Sequence, residues 1–167
     1  GELVQMLARY YKSVLRKGFD TVSLHHEIEH IVTYVKIQNF RFDGRIHLKV
    51  EIPEELMSKK MLKLTLQPII ENSVSHGISA EDEGEETITV RAREEGGDLI
   101  IEVQDDGKGM TKEQLETILK VDENNSHYAV FNIHDRIRLK YGEGYGLRYE
   151  SAIGQGTTVT IRIKTQP

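Results

Sequence analysis

Between Gln67 and Ile78 the apolar residues Ile69, Ile70, Val74 and Ile78 recur at three- to four-residue intervals, with Glu71, Asn72, Ser75 and His76 filling the rest of the turn. This spacing predicts a helix with one face in a core and one polar face turned toward something. Asn is a poor helix former and Glu is costly to bury beside an apolar stripe. An Asn-Glu pair in such a run therefore marks either a site or a face that meets water.

The same spacing predicts two helices further upstream. Leu3, Leu7, Tyr10 or Tyr11 and Val14 place one over 2–17, stopped by Gly18. Leu24, Ile28, Ile31 and Val35 place another from the N-cap Ser23 to about Phe40. Joined by a short connection, the two form a helical hairpin over residues 1–43. From Arg45 the period falls to two, and Arg45 to Ile52 alternate as a half-buried strand closed by Pro53. A helix is expected around Leu62 to Ile78, followed by an acidic loop over Ser79 to Glu86. Strands at Thr87–Ala92 and Leu99–Val103 flank a hairpin turn at Glu95-Gly96-Gly97-Asp98. Thr111 caps a short helix to about Leu119, Val121 to Tyr128 form a mobile loop, and Ala129 to Lys140 return to helical spacing. Two antiparallel strands, Leu147–Ser151 and Thr157–Ile163, close the chain across Gly154-Gln155-Gly156. The order from residue 44 predicts an α+β fold with helices on one face of the sheet.

Composition narrows the function classes. The chain has 167 residues and a net charge of −5 with no basic stripe, which argues against a nucleic-acid surface. It contains no cysteine, which excludes disulfides and thiolate metal sites. No apolar run is long enough to span a bilayer. Gly1 stands where an initiator Met would, as expected of a piece of a longer protein.

His26-Glu27-Ile28-Glu29-His30 formally matches the HExxH zinc-protease signature, two imidazoles on one helical face with a carboxylate between them. No third ligand is evident nearby, and a solvated polar helix face accounts for the residues equally well.

Three further motifs fall in a fixed order. Glu71-Asn72 resembles the N box, Asp105-x-Gly107-x-Gly109 the G1 box, and Gly154-x-Gly156-Thr157 the last glycine box of the Bergerat, or GHKL, ATP-binding fold. With YVKIQNFRF from Tyr34, LQPIIEN from Leu66 and NIHDRI from Asn132, the chain resembles the C-terminal part of sensor histidine kinases of the LytS/YesM type. The resemblance implies a two-layer α/β sandwich over 44–167 with a mixed sheet, preceded by a hairpin (1–43) that is the end of the dimerisation and phosphotransfer region.

It further implies that the chain binds ATP and Mg²⁺. Asp105, at a strand end, would accept a hydrogen bond from the adenine amino group beside Gly107 and Gly109. Asn72 would be the Mg²⁺ ligand. Gly156 and Thr157 would lie near Asp105 and the base, and His76 would line the nucleotide. Ala129 and Val130 occupy the helix start that approaches the phosphates. The implied partners are a response regulator, the protein's own phosphoacceptor helix and a second copy in a homodimer. The implied place is the cytoplasmic side of a membrane-bound bacterial sensor.

Departures from the family pattern set the alternatives. His127-Tyr128-Ala129-Val130 stands where that pattern has a glycine-rich G2 box, so side chains crowd the phosphate approach. Ser75 replaces a phosphate-contacting Lys, and Pro68 replaces the water-activating Glu of gyrase-like ATPases, so hydrolysis should be negligible. None of the seven histidines matches the phosphoacceptor segment, which is expected upstream of Glu2. The rival reading is a degenerate GHKL module that binds a partner or senses nucleotide without phosphotransfer.

Overall fold

The computed structural model describes residues 1–15, 20–78, 83–120 and 128–166. Gly18, residues 79–82 of the expected acidic loop and residues 121–127 of the expected mobile loop lie outside these residues. The predicted helical segments are helices, with shifted ends: α1 (Glu2–Leu15), α2 (Leu24–Phe42), α3 (Leu66–Gly77), α4 (Lys112–Thr117) and α5 (Tyr128–Tyr141). Five strands form one mixed sheet: β2 (Ile46–Glu51), β4 (Glu86–Glu95), β5 (Asp98–Asp105), β6 (Gly146–Ser151) and β7 (Thr157–Lys164), in the order β2-β4-β5-β7-β6. β2 runs parallel to β4, and the other neighbours are antiparallel.

Two elements depart from the sequence reading. A small antiparallel ribbon pairs β1 (Thr21–Ser23) with β3 (Lys60–Leu62). The expected helix from Leu62 therefore begins only at Leu66. Between the two, Leu64 takes a left-handed backbone with φ of 60°, which a continuous helix cannot contain. Three-residue strands have no readable period, so nothing in the pattern distinguished them from loop.

Alternation along the strands divides the sheet into two faces. Ile88, Val90, Leu99, Ile101, Val103, Val159, Ile161 and Leu147 are buried against α2, α3 and α5 in a single apolar core. The opposite face is polar: Arg91 pairs with Glu51, Arg93 with Glu95 and Glu102, and Arg162 with Asp98. One face supports helices, and the other meets water except at the buried Ile100. The helical residues Leu24, Ile28, Ile31, Val35 and Phe42 of α2 join the same core. At its far end, Asn39 pairs its side-chain amide with the N–H and carbonyl of Ile46 at 3.0 and 2.9 Å, joining α2 to the first residue of β2.

Within α2 the HExxH residues separate. His26 is exposed and His30 half-buried, but Glu27 is buried, so the expectation of a wholly solvated face fails at that position. Its carboxylate accepts the backbone N–H groups of Leu64, Thr65 and Leu66 at 3.2, 2.7 and 3.1 Å. Among the described residues no cluster of three or more His, Cys, Asp or Glu side chains could hold a metal ion. No described helix is long and apolar enough to cross a membrane.

Candidate nucleotide site

The register of the last strands builds the site. Asp105 ends β5 directly opposite Thr157 at the start of β7, and Thr157 in turn faces Ser151 at the end of β6. Three polar side chains thus occupy one rung at the edge of an otherwise apolar sheet face. α3 lies over that edge. Its inward stripe of Ile69, Ile70 and Val74 is buried, and the same stripe carries Ser73 into hydrogen-bonding contact with the Asp105 carboxylate.

Asp105 is nearly buried. Its Oδ1 accepts the backbone N–H of Gly107 at 3.0 Å and of Thr157 at 3.2 Å. Burial pushes its acidity toward higher pH. The donors Gly107, Ser73 and Thr157 oppose that shift without cancelling it, and the nearby Asp106 charge adds to it. Every one of these partners donates, so the carboxylate is held as an acceptor.

Two glycines let the loops close on this rung. Gly109 has φ of 74°, and a Cβ there would overlap the Ala152 carbonyl. Gly156 has φ of 71°, and a Cβ there would overlap the Asp105 carbonyl. At both positions the backbone conformation and the backbone-to-backbone approach demand glycine. Ser151 adds side-chain bonds between the same loops. Its hydroxyl accepts the Met110 N–H at 2.8 Å, donates to the Gly156 carbonyl at 2.8 Å and lies 2.8 Å from the Thr157 hydroxyl. After Met110, Thr111 and Gln114 form a reciprocal capping box that starts α4.

The resulting cavity is lined by Asn72, Ser73, His76, Asp105, Gly109 and Thr157, floored by Ile69, Met110 and Val159, and edged by Lys108 and Tyr149. Asn72, His76, Asp105, Gly109 and Thr157 are therefore together. Gly107 and Gly156 shape the turns behind the lining. Ala129 is exposed in the first turn of α5, and Val130 is buried in the core, so neither lines the cavity. Asn72 approaches the Tyr149 phenol without closing a well-formed hydrogen bond to its hydroxyl. Ser75 turns its hydroxyl back to the Glu71 carbonyl at 2.8 Å. His127 lies outside the described residues.

Sequence reasoning missed Ser73, Ser151 and Glu86. Glu86 opens β4 with its carboxylate buried behind Gly77 and Gly107 and with no hydrogen-bond partner among the described residues, and burial beside Asp105 and Asp106 pushes its acidity up to about 8. The available signals were slight: Ser73 stands four residues after Ile69 on the buried stripe, and Ser151 falls opposite Thr157 once the closing hairpin is drawn.

The chain that builds this cavity can be compared with known proteins by sequence and by fold. Residues 57–167 match the model for the histidine kinase-, DNA gyrase B- and HSP90-like ATPases, and residues 1–46 match a histidine kinase model. The chain belongs to that ATPase family. It is similar to the sensor histidine kinase BtsS of Escherichia coli, 31% identical over 163 residues, which cover 97% of this chain and 27% of BtsS. It is also similar to the sensor protein kinase HptS of Staphylococcus aureus, 33% identical over 165 residues, 96% of this chain and 31% of HptS. The chain thus spans under a third of the length of these relatives. Its fold matches the catalytic domain of the histidine kinase ThkA with a TM-score of 0.68 at 14% identity, covering 90% of this chain and 99% of that one. The histidine kinase domain of an Erythrobacter litoralis blue-light activated kinase matches with a TM-score of 0.61 at 18% identity, covering 97% of this chain and 72% of that one. The α+β sandwich with a mixed five-stranded sheet is the fold of histidine kinase catalytic domains.

Proposed function

We propose that this chain is the ATP-binding catalytic part of a two-component sensor histidine kinase, donating the γ-phosphoryl to a histidine outside residues 1–167 and thence to a response regulator. The observation that carries the reading is the pairing of Asp105 with Thr157 on one rung, facing Asn72 across a single cavity. Asp105 would take the exocyclic amine of adenine, with Gly107 and Gly156 fixing the turns behind it. The phosphates would extend toward Asn72 and His76.

The residues present fit a magnesium nucleotide. Mg²⁺ keeps water and phosphate oxygens in its octahedral shell and needs few protein ligands, and Asn72 supplies an amide oxygen at the cavity wall. When bound, the ion would neutralise charge on the transferring phosphoryl group. Residues 1–43 would continue the dimerisation and phosphotransfer region of a homodimeric, membrane-bound sensor, and 44–167 would hold the nucleotide on its cytoplasmic side. α2 packs into the common core, which gives movements of the upstream region a rigid path to α3.

Calorimetric titration of the chain with ATP, with and without Mg²⁺, tests this reading. Micromolar binding strengthened by Mg²⁺, and lost in both Asp105→Asn and Asn72→Ala, is the expected result. Unchanged affinity in both variants would refute it. The burial of Val130 away from the cavity favours a second reading, a nucleotide-sensing or partner-binding module without phosphotransfer. A large gain in ATP affinity in His127→Gly with Ala129→Gly would support that second reading.

A further inference from the structure

The three contacts around Ser151 fix where each proton lies. Its single hydroxyl proton has two possible acceptors, the Gly156 carbonyl and the Thr157 hydroxyl, each at 2.8 Å. Were it given to Thr157, the Ser151 oxygen would face the Gly156 carbonyl oxygen at 2.8 Å with no proton between them, a repulsive contact. Given to Gly156, it leaves Ser151 with two lone pairs. One takes the Met110 N–H at 2.8 Å and the other takes the Thr157 O–H. In this arrangement the Ser151 hydroxyl is saturated and no contact is repulsive.

The consequence falls on Thr157. Its proton is committed to Ser151, so toward the cavity it offers lone pairs only. Beside it Asp105 is an acceptor as well, receiving Gly107, Thr157 and Ser73. The rung then presents acceptors alone to whatever base enters.

We propose that Ser151 is the positioning residue that sets base specificity, by holding the Thr157 hydroxyl as an acceptor so that the site takes a 6-amino purine and refuses a 6-oxo purine. The inference rests on the nucleotide-binding reading and names the residue that gives it selectivity. An exocyclic amine brings two donors to the acceptor rung. A 6-oxo purine carries its donor on the neighbouring N1 and an acceptor at the 6-position itself, where Asp105 and Thr157 would meet it with no proton available from either.

The experiment is a titration of the chain with ADP and with IDP, which differ at the 6-position of the base and its N1 proton. The wild-type chain should prefer ADP strongly. In Ser151→Ala the Thr157 hydroxyl is released to turn and donate, so the ADP-to-IDP affinity ratio should collapse by roughly tenfold. Ser151→Thr should restore it. In Thr157→Val the amine loses an acceptor, so ADP should weaken while IDP stays at its poor level. A merely structural role for Ser151 would lower both nucleotides in proportion, and an unchanged ratio in Ser151→Ala overturns the proposal while leaving nucleotide binding intact. Equal loss of both nucleotides in Thr157→Val overturns it independently, should Ser151→Ala fail to fold. A wild-type chain that binds neither nucleotide removes this inference and the reading beneath it together.

Discussion

Glu27 accepts the backbone N–H of Thr65 at 2.7 Å, placing a carboxylate of α2 at the first turn of α3. The same side chain takes Leu64 and Leu66. Thr65, at the N-cap, makes no side-chain capping bond, and its hydroxyl donates to the Leu62 carbonyl at 2.7 Å. The cap of α3 is therefore supplied by another helix. A negative group there also meets the positive end of the helix dipole.

This makes Glu27 a stability residue with a specific signature. Glu27→Ala would orphan two buried N–H groups and a part-buried one and should cost about 2–4 kcal/mol, seen as a fall in Tm of roughly 5–15 °C. Glu27→Gln keeps one acceptor oxygen and should lose clearly less. Thermal unfolding of the three proteins tests the ranking. Equal Tm values would mean that solvent replaces the carboxylate.

Gly109 and Gly156 should be the least replaceable positions of the site. Alanine at either adds a Cβ onto a carbonyl of the opposing loop, in a left-handed backbone that alanine adopts at a cost of about 1–2 kcal/mol. The Asp105–Thr157 rung must then open. The expected outcome for Gly109→Ala and Gly156→Ala is loss of ATP binding with the sheet retained, read by calorimetry beside far-ultraviolet circular dichroism. Gly154→Ala, which meets open space at a φ of 80°, should cost only the backbone strain and keep binding.

Much of this architecture was legible because its signals are local. The helical stripe of α3, the hairpin at Gly96-Gly97 and the Thr111 cap each depend on residues a few positions apart, and each is present. Asn72, Asp105 and Thr157 could be picked out by motif, and they meet in one cavity. What stayed hidden depends on pairing between distant segments. Glu27 reads as one more polar residue on a polar helix, and only the tertiary fold lays its carboxylate on Thr65. Ser151 becomes meaningful once β6 and β7 pair and β5 brings Asp105 alongside. The β1–β3 ribbon is fixed by the turn around Leu64 and by Lys59 and Met57 carbonyls that accept the first N–H groups of α2, contacts that leave no periodic trace.

Glu86 should make the chain less stable as pH rises. Its carboxyl is buried, and neither oxygen has a hydrogen-bond partner among the described residues. Its Oε1 would lie 3.8 Å from a Cβ placed on Gly107, and the Asp105 Oδ1 3.1 Å from the same point. Burial, then the charges of Asp105 and Asp106, raise it from an ordinary 4.5 to about 8. A raised carboxyl favours folding fully only below pH 4.5, where both states hold the proton. Between 4.5 and about 8 the unfolded chain releases that proton first, and stability falls by about 1.4 kcal/mol per pH unit from this group. Glu86→Gln, a neutral isostere, should therefore match the wild type near pH 4.5 and exceed it by a few kcal/mol at pH 8. Denaturant melts at the two pH values measure this. A stability difference independent of pH would show that the carboxyl is not held protonated.

His134 should act in the opposite sense. Its Nδ1 accepts the backbone N–H of Leu147 at 2.9 Å, which requires the neutral ring with its proton on Nε2. Burial, followed by the Arg138 charge, lowers its affinity for a proton below the ordinary 6.5, with Asp135 opposing. A depressed histidine leaves stability whole above pH 6.5. As pH falls below that value the unfolded chain takes up a proton that the folded chain refuses, and stability declines until the folded ring is itself protonated. Protonation then turns an acceptor into a donor facing another donor, and the α5–β6 corner should open first. His134→Gln can keep an acceptor near Leu147 without titrating, so it should flatten the loss between pH 6.5 and 5 while costing some packing at neutral pH. Hydrogen exchange at the Leu147 amide reads the event directly. Wild-type protection that falls with pH beyond the intrinsic exchange trend, and fails to do so in His134→Gln, is the expected result, and parallel behaviour in the two proteins would rule out the ring as the group responsible.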